Sequence, residues 1–144
     1  DVISEHMKEM HFGKIINISS ISGRRGSVTS IPYSASKAGV ISLTQSTAME
    51  LAPFSINVNA ICPGLLWTPM WERIAIRWSQ VIDKWKGLSP RDIFERYMKD
   101  VTPLGREQSP EDIGNLAAFL ASDYSRNITG QTINVDGGFR RAGY

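Results

Sequence analysis

The chain has 144 residues, of which 42% are hydrophobic and 21% charged, proportions that suit one globular domain and argue against disorder. Its formal charge of +2 is spread along the chain without a basic block, which argues against a nucleic-acid binder or a membrane-surface protein. The single cysteine excludes an internal disulfide, and no apolar run reaches the roughly 20 residues that span a bilayer. These features predict a cytoplasmic protein with small-molecule partners.

Short apolar runs alternate with helical patterns along the chain. Residues 2–10 have the apolar spacing of a helix that is stopped by Gly13, but no N-cap or first turn precedes them. Residues 14–19 form a β-branched run that predicts a buried strand, and residues 33–51 predict one long helix that ends before Pro53. Further along, the patterns predict a strand at 55–64, a helix at 110–121 capped by Ser109, and a third strand at 131–138.

This order of elements is that of an α/β protein with a doubly wound parallel sheet and helices on both faces. Three strands make a thin sheet, and strands this apolar are usually flanked by further strands. We therefore expect the sheet to extend beyond the strands that this chain supplies.

The stretch YSASK places Tyr33 four residues before Lys37, so the two side chains share one face of the predicted helix. A free phenol ionises at a pH of about 10, and a neighbouring ammonium favours its phenolate, as proton exchange near neutral pH requires. The small residues Ser34, Ala35 and Ser36 leave room for a flat ligand or another helix to approach. An isolated pair with this spacing is more often an ordinary surface feature, so the motif depends on its neighbours.

Four motifs follow one another in the chain: NISSISG (17–23), YSASK (33–37), NVNAICPG (57–64) and NVDGG (134–138). In this order and at these intervals they closely resemble the short-chain dehydrogenase/reductase family, over almost the whole chain. The resemblance implies a Rossmann-type fold and an oxidoreductase that interconverts an alcohol and a ketone with NAD or NADP. Three residues separate the tyrosine from the lysine, not the six of the family's enoyl-reductase branch, which favours carbonyl or alcohol chemistry.

The resemblance also implies roles for individual residues. Tyr33 would be the general acid/base, and Lys37 would make the phenol more acidic and hold the nicotinamide ribose. Ser20 would orient the carbonyl, and it follows a predicted strand at the edge where open α/β sheets place their ligands. Ser19 is the alternative, but the thirteen-residue interval to Tyr33 and the Gly23 that follows favour Ser20.

The loop CPGLLWTP (62–69) follows the second predicted strand. By itself it is an ordinary strand end with a Pro-Gly turn. The family resemblance implies that the loop lies against the nicotinamide and that Pro63, Gly64, Leu66 and Thr68 contact the cofactor. Between an apolar strand and a proline, Cys62 is expected to be a buried, inert thiol rather than a nucleophile.

An insert at residues 65–101 contains all four tryptophans. Its first part predicts an amphipathic helix, and a second helix is expected to start at Ser89 and Pro90. These helices are either packed on the body for ordinary core reasons or form a lid over an apolar substrate, and both roles are compatible. The apolar face of the first helix is predicted to hold Trp71, Ile74, Trp78, Val81 or Ile82, and Trp85, and that of the second Ile93, Phe94, Tyr97 and Met98; the lid residues would be Trp67, Trp71 and Trp78.

No glycine-rich dinucleotide motif occurs in the chain, and the stretch SGRRGS (22–27) follows a strand without opening a helix. Arg24 and Arg25 are therefore predicted to be solvated loop charges. We expect residues 1–144 to be the C-terminal half of one Rossmann-type domain that is inactive alone, its dinucleotide-binding half lying upstream in the same chain or in a second one.

Three further expectations concern partners. The resemblance implies a homodimer or homotetramer, with helix 33–51 and the last strand as contact surfaces. The alternative to an enzyme is a non-catalytic interaction module that uses the same surfaces. His6 and His11 have no cluster of ligands at metal-binding spacing, so no metal site is predicted.

Overall fold

The computed structural model describes residues 2–26 and 30–139. They form a three-stranded parallel sheet, in the order β1-β2-β3, with five α-helices. The strands are β1 (Gly13–Ile18), β2 (Ile56–Pro63) and β3 (Thr132–Val135). The helices are α1 (Val2–Met10), α2 (Ile31–Leu51), α3 (Pro69–Val81), α4 (Pro90–Val101) and α5 (Pro110–Ala121).

Strand β2 lies between the other two and is buried from Ile56 to Cys62. Its pairing with β1 runs from Gly13↔Ile56 to Ile18↔Ile61, and its pairing with β3 ends at Pro63↔Val135. Because all three strands are parallel, their carboxyl ends meet at one edge of the sheet. The predicted α/β class and parallel sheet are confirmed.

The two faces of β2 contact different parts of the chain. Ile56 and Val58 pack against the buried Ala48 and Leu51 of α2. The alternate residue Asn59 points the other way, and its amide donates to the carbonyl of Ile128, in the segment after α5, at 2.8 Å. The sheet therefore carries a helix on one face and the α5–β3 connection on the other.

Three of the helices begin with a Ser/Thr-Pro pair. Thr68, Ser89 and Ser109 each accept a hydrogen bond from a backbone N–H in the first turn of α3, α4 and α5, respectively. Proline at the next position lacks an N–H that the first turn would leave unpaired, so it costs nothing there. Asp112 completes a capping box with Ser109. The predicted helix starts at Ser89 and Ser109 are confirmed.

Some boundaries differ from the sequence prediction. Helix α2 begins at Ile31 rather than residue 33, because Pro32 fits the first helical turn. Helix α3 ends at Val81, and Trp85 lies in a separate 3₁₀ turn. The expected burial of Val81 or Ile82 is wrong, since the two residues are 66% and 36% exposed.

Trp85 itself is buried, and its ring stacks on that of Trp78 with centroids 6.4 Å apart. The chain leaves the helix after Val81 to make this stack. Among residues 2–26 and 30–139, we find no helix long and apolar enough to cross a bilayer.

Candidate active site

Tyr33 and Lys37 lie on the first two turns of α2 and face the same way, as the spacing predicts. The Lys37 Nζ lies 5.8 Å from the centroid of the Tyr33 ring. Tyr33 is 36% exposed, so a ligand can reach its phenol from solvent. The arrangement places a cation beside a partly exposed tyrosine.

Two hydrogen bonds fix Lys37 to the end of β1. Its Nζ donates to the carbonyl of Ile18 at 3.1 Å, and the Ser19 hydroxyl donates to the carbonyl of Lys37 at 2.8 Å. An ammonium has three N–H groups. Among the described residues the Lys37 ammonium has Ile18 as its hydrogen-bond acceptor, so two N–H groups remain for a ligand.

The 3₁₀ turn Ile21–Arg24 packs directly on α2. A Cβ at Gly23 would lie 2.7 Å from both the carbonyl carbon and the oxygen of Lys37, well inside van der Waals contact. Only glycine permits this approach without a shift of the backbone. Gly23 therefore lets the segment after β1 lie against the helix that carries Tyr33 and Lys37.

Ser20 is the N-cap of this turn and is almost buried. Its Oγ accepts the Ser22 backbone N–H at 3.1 Å, and among the residues that the structure describes its own proton has no acceptor. The hydroxyl of Ser19 is buried, and its proton is already used on Lys37. The hydrogen bonds thus distinguish the two serines: Ser20 retains a donor, whereas Ser19 is a structural link.

The loop of residues 63–68 (the 63–68 loop) follows β2 at the same edge of the sheet. The Gly64 N–H donates to the carbonyl of Val135 at 2.9 Å, so the loop begins as an extension of the sheet. The Thr68 hydroxyl accepts the Trp71 N–H at 3.4 Å as the N-cap of α3 and keeps its own proton for another acceptor. Leu65 is buried in one cluster with Ile21, next to Ser20.

The sequence analysis missed Gln108 in this region. It is buried, its Oε1 accepts the Leu65 N–H at 2.6 Å, and its backbone N–H donates to the Leu65 carbonyl at 3.0 Å. A polar residue just before the strong N-cap Ser109 has the expected pattern of a loop, so the sequence carried no signal for this contact.

The predicted lid residues lie between α3 and α4. The rings of Trp67 and Trp71 lie 5.2 and 5.4 Å from that of Phe94, and Trp78 contacts Tyr97 edge-on at 5.0 Å. These distances are those of ordinary aromatic packing. The packing role of the tryptophans is therefore confirmed, while the lid role stays a prediction.

Arg91 joins this aromatic cluster to the segment before α5. Its guanidinium lies 5.2 Å from the Trp67 ring and forms ion pairs with Glu95 at 2.8 Å and Glu107 at 2.9 Å. The hydrogen bond to Glu107 raises the pKa of Arg91 above its already high ordinary value, so the cation is permanent. The sequence pattern gave no indication of this contact.

Two other sequence predictions concern Arg24 and Cys62. Arg24 is exposed, but its guanidinium donates to the carbonyl of Thr132 in β3, so the prediction of a purely solvated charge is wrong for this residue. The topology explains the error, because β3 is 108 residues away in the chain. Cys62 is a buried free thiol, as predicted.

The predicted site residues follow the carboxyl ends of β1 and β2. A cavity of about 500 Å³ lies at the opposite edge of the sheet, where His11, Lys14 and Asn57 are among its lining residues. None of the predicted site residues lines it. In the described part of the chain, no group of three or more His, Cys, Asp or Glu side chains is placed to hold a metal ion.

Comparison with known proteins decides the family. A family model described as enoyl-(acyl carrier protein) reductase matches residues 2–140. Galactitol 2-dehydrogenase of Agrobacterium fabrum is 48% identical over 126 residues, which are 88% of this chain and 47% of that protein. The chain belongs to the short-chain dehydrogenase/reductase family. The predicted membership of this family is thereby confirmed.

Other members of the short-chain dehydrogenase/reductase family agree with this assignment. The (S)-acetoin-forming diacetyl reductase of Staphylococcus epidermidis is 44% identical over 135 residues, 94% of this chain and 51% of that protein. A crystal structure of an actinorhodin polyketide ketoreductase variant with NADPH is 38% identical and superimposes with a TM-score of 0.81. The superposition covers 94% of this chain and 50% of the ketoreductase chain. The chain thus spans about half the length of the relatives that it matches.

Proposed function

We propose that this chain is the proton-transfer half of an NAD- or NADP-dependent oxidoreductase that interconverts an alcohol and a ketone. One observation carries the proposal: the ammonium of Lys37 lies 5.8 Å from the Tyr33 ring and is anchored to the strand end that leads into Ser20. The relatives named above as a dehydrogenase, a diacetyl reductase and a ketoreductase support the reaction class.

In the proposed reaction Tyr33, Ser20 and Lys37 have different roles. A nicotinamide, when bound, would supply the hydride chemistry at the carbonyl carbon, and Tyr33 would exchange a proton with the carbonyl oxygen. Ser20, whose proton is free, donates to the same oxygen and orients it. Lys37 would stabilise the phenolate that remains on Tyr33 after reduction, because its ammonium carries the opposite charge beside the same ring.

The residues present fit a nicotinamide nucleotide. The two N–H groups that Lys37 has left can meet the vicinal hydroxyls of a ribose. The 63–68 loop lies at the same sheet edge, and Pro63, Gly64, Leu66 and the Thr68 hydroxyl would contact the nicotinamide. Nothing in the chain selects NAD over NADP, so both belong to the proposal.

We propose that this chain works with a glycine-rich dinucleotide-binding segment, in the same chain or in another. Without that segment, residues 1–144 would lack contacts to the pyrophosphate and would be inactive. A cytoplasmic location suits the single buried cysteine.

The family model's description raises the alternative of enoyl reduction. Carbonyl chemistry remains the proposal, because the tyrosine and lysine are separated by one helical turn and their side chains lie together. Assays with a ketone and with an enoyl substrate of the same chain length distinguish carbonyl reduction from enoyl reduction. The proposed enzyme should oxidise the reduced nicotinamide nucleotide with the ketone and not with the enoyl substrate.

We further propose that α3 and α4 form a lid whose aromatic residues Trp67, Trp71 and Trp78 close over an apolar or cyclic substrate. Their packing on Phe94 and Tyr97 gives the lid a rigid aromatic wall. A wall of this kind favours a bulky and weakly polar alcohol or ketone.

A second candidate function rests on the exposed face of α2. Leu43 and Met49 are 61% and 74% exposed there, and the small residues Ala35 and Ala38 are exposed on the same helix. Such a surface fits self-association into a dimer or tetramer, either within the enzyme or as the sole role of a non-catalytic module. Sedimentation of Leu43→Glu against the parent protein tests the surface.

The test of the proposed function is nicotinamide fluorescence. The protein, expressed at the full length of its natural coding sequence, is titrated with NADH and NADPH and then assayed with a panel of ketones. Binding of one nucleotide and its oxidation by a ketone are the expected results. If the protein binds neither nucleotide, the proposal of an oxidoreductase is wrong and the non-catalytic interaction module is favoured.

A further inference from the structure

Gln108 joins two loops at the edge of the sheet that carries the candidate active site. The loops are the 63–68 loop and the turn after β3. As described above, its side chain and its backbone together bind both polar groups of the Leu65 backbone. The hydrogen bond to Gln108 Oε1 is short, at 2.6 Å, and fully buried. The side-chain amide also donates to the carbonyl of Arg106 at 3.2 Å, which fixes the orientation of its oxygen.

Two glycines make room for this amide. A Cβ at Gly64 would lie 2.5 Å from the Oε1 of Gln108 and 2.7 Å from the Cα of Asp136. A Cβ at Gly137 would lie 3.1 Å from the Nε2 of Gln108 and 2.6 Å from Thr102. The amide therefore lies wedged between the two loops, and only residues without a side chain fit beside it.

The strand pairing explains what this contact does. The last hydrogen bond between the backbones of the β2 and β3 segments runs from Gly64 to Val135, so the chain leaves the sheet at Leu65. At that point Gln108 supplies the acceptor and the donor that a neighbouring strand would have supplied. The backbone of Leu65 is thus held in place by hydrogen bonds within the protein itself.

We propose that Gln108 is a positioning residue for cofactor binding, and that it acts by holding the backbone of the 63–68 loop in the conformation that meets the nicotinamide. The inference rests on the proposed function, because it takes the loop to contact the cofactor. A loop that is ordered in advance pays less conformational entropy on binding. Loss of the Gln108 amide therefore weakens the binding of the cofactor and spares that of the ketone.

The test compares Gln108→Met with Gln131→Met in the full-length protein. Methionine has nearly the length and volume of glutamine but lacks the amide, so the first change removes the side-chain hydrogen bonds and keeps the packing and the backbone bond to Leu65. Gln131 is exposed, and its side chain donates to the nearby Thr129 carbonyl, so the second change is a matched control away from the loop.

The expected result is a rise of about tenfold in the Kd for NADH or NADPH, whichever the parent protein binds, in Gln108→Met. The KM for the nucleotide should rise in parallel, while the KM for the ketone stays within about twofold and Gln131→Met matches the parent. The Leu65 amide should also exchange its hydrogen with solvent about tenfold faster in Gln108→Met. Should Gln108→Met fail to fold, Gln108→Asn is the substitute, because it withdraws the amide by one methylene. It should likewise weaken nucleotide binding and leave the KM for the ketone nearly unchanged.

Three results would contradict the proposal. Unchanged nucleotide binding together with faster exchange at Leu65 would show that the contact holds the loop without serving the cofactor. An equal rise of both KM values would show a general structural role. Failure of the parent protein itself to bind a nucleotide would overturn the proposed function, and this outcome is visible before any variant is made.

Discussion

The hydroxyl of Ser19 donates to the backbone carbonyl of Lys37 at 2.8 Å, and Lys37 returns a hydrogen bond from its ammonium to Ile18, the residue before Ser19, at 3.1 Å. The end of β1 is therefore hydrogen-bonded to the second turn of α2 twice, once at the backbone of Lys37 and once at its side chain. This double link fixes the cation of the candidate site relative to the segment that carries Ser20.

Replacement of Tyr33 by phenylalanine removes the proposed transferable proton and little else. The ring and its neighbour Lys37 remain, so we expect turnover to fall by at least about a hundredfold. The Kd for the nucleotide should stay within about twofold, as fluorescence titration can measure. A comparable loss of nucleotide binding would contradict the acid/base role.

Replacement of Lys37 by methionine should weaken both nucleotide binding and turnover, because the ammonium is proposed to serve the ribose and the phenolate. We expect the Kd for the nucleotide to rise about tenfold and kcat to fall about tenfold, measured by titration and by steady-state rates, respectively. Lys14→Met is the control: its ammonium donates to Asn57 at 2.7 Å, at the opposite edge of the sheet. Equal losses in the two variants would indicate destabilisation rather than a role in the site.

The two adjacent serines should respond differently to alanine substitution. Ser20→Ala should lower kcat by roughly tenfold or more, because it removes a proposed donor to the carbonyl, and loss of its cap on the 3₁₀ turn should cost about 1 kcal/mol of stability. Ser19→Ala should leave kcat nearly unchanged and lower the free energy of unfolding by about 1 kcal/mol, since it removes a buried hydrogen bond to Lys37. Denaturant unfolding and steady-state kinetics on both variants test the assignment, and a reversed pattern would show that Ser19 is the orienting hydroxyl.

Gly23 and Gly26 form a matched pair within one loop. Gly23→Ala would place a Cβ 2.7 Å from the Lys37 carbonyl, and we expect it to cost roughly 1–3 kcal/mol of stability. At Gly26 an added Cβ meets no atom of the described residues within 4 Å, so Gly26→Ala should be close to neutral. Thermal unfolding of the two variants is the measurement. Equal stability would show that the turn after β1 does not pack tightly on α2.

The lid proposal predicts a change in substrate preference. Trp71→Leu keeps an apolar side chain between Phe94 and Tyr97, but it shortens the aromatic wall. We expect kcat/KM for a bulky cyclic ketone to fall severalfold relative to that for a small one. Trp85→Leu, in the 3₁₀ turn after α3, is the control for lost packing. If both variants lower the two rates in equal proportion, the tryptophans serve only the core.

The sequence by itself determined the order of the elements, most of their boundaries and the shared face of Tyr33 and Lys37. These features depend on local rules: β-branched runs form strands, a Ser-Pro pair starts a helix, and side chains four residues apart meet on a helix. The motif order also determined the family, which the comparisons confirm.

Only the tertiary structure decided which polar groups already have hydrogen-bond partners within the protein. The sequence favoured Ser20 over Ser19 only by its interval to Tyr33 and by Gly23, whereas the structure shows that α2 provides an acceptor for the Ser19 hydroxyl and none, among the described residues, for that of Ser20. Arg24 and Gln108 have loop-like surroundings in sequence, yet they bind residues 108 and 43 positions away. Their hydrogen-bond partners depend on how distant segments meet at the sheet edge, and local periodicity carries no information about that.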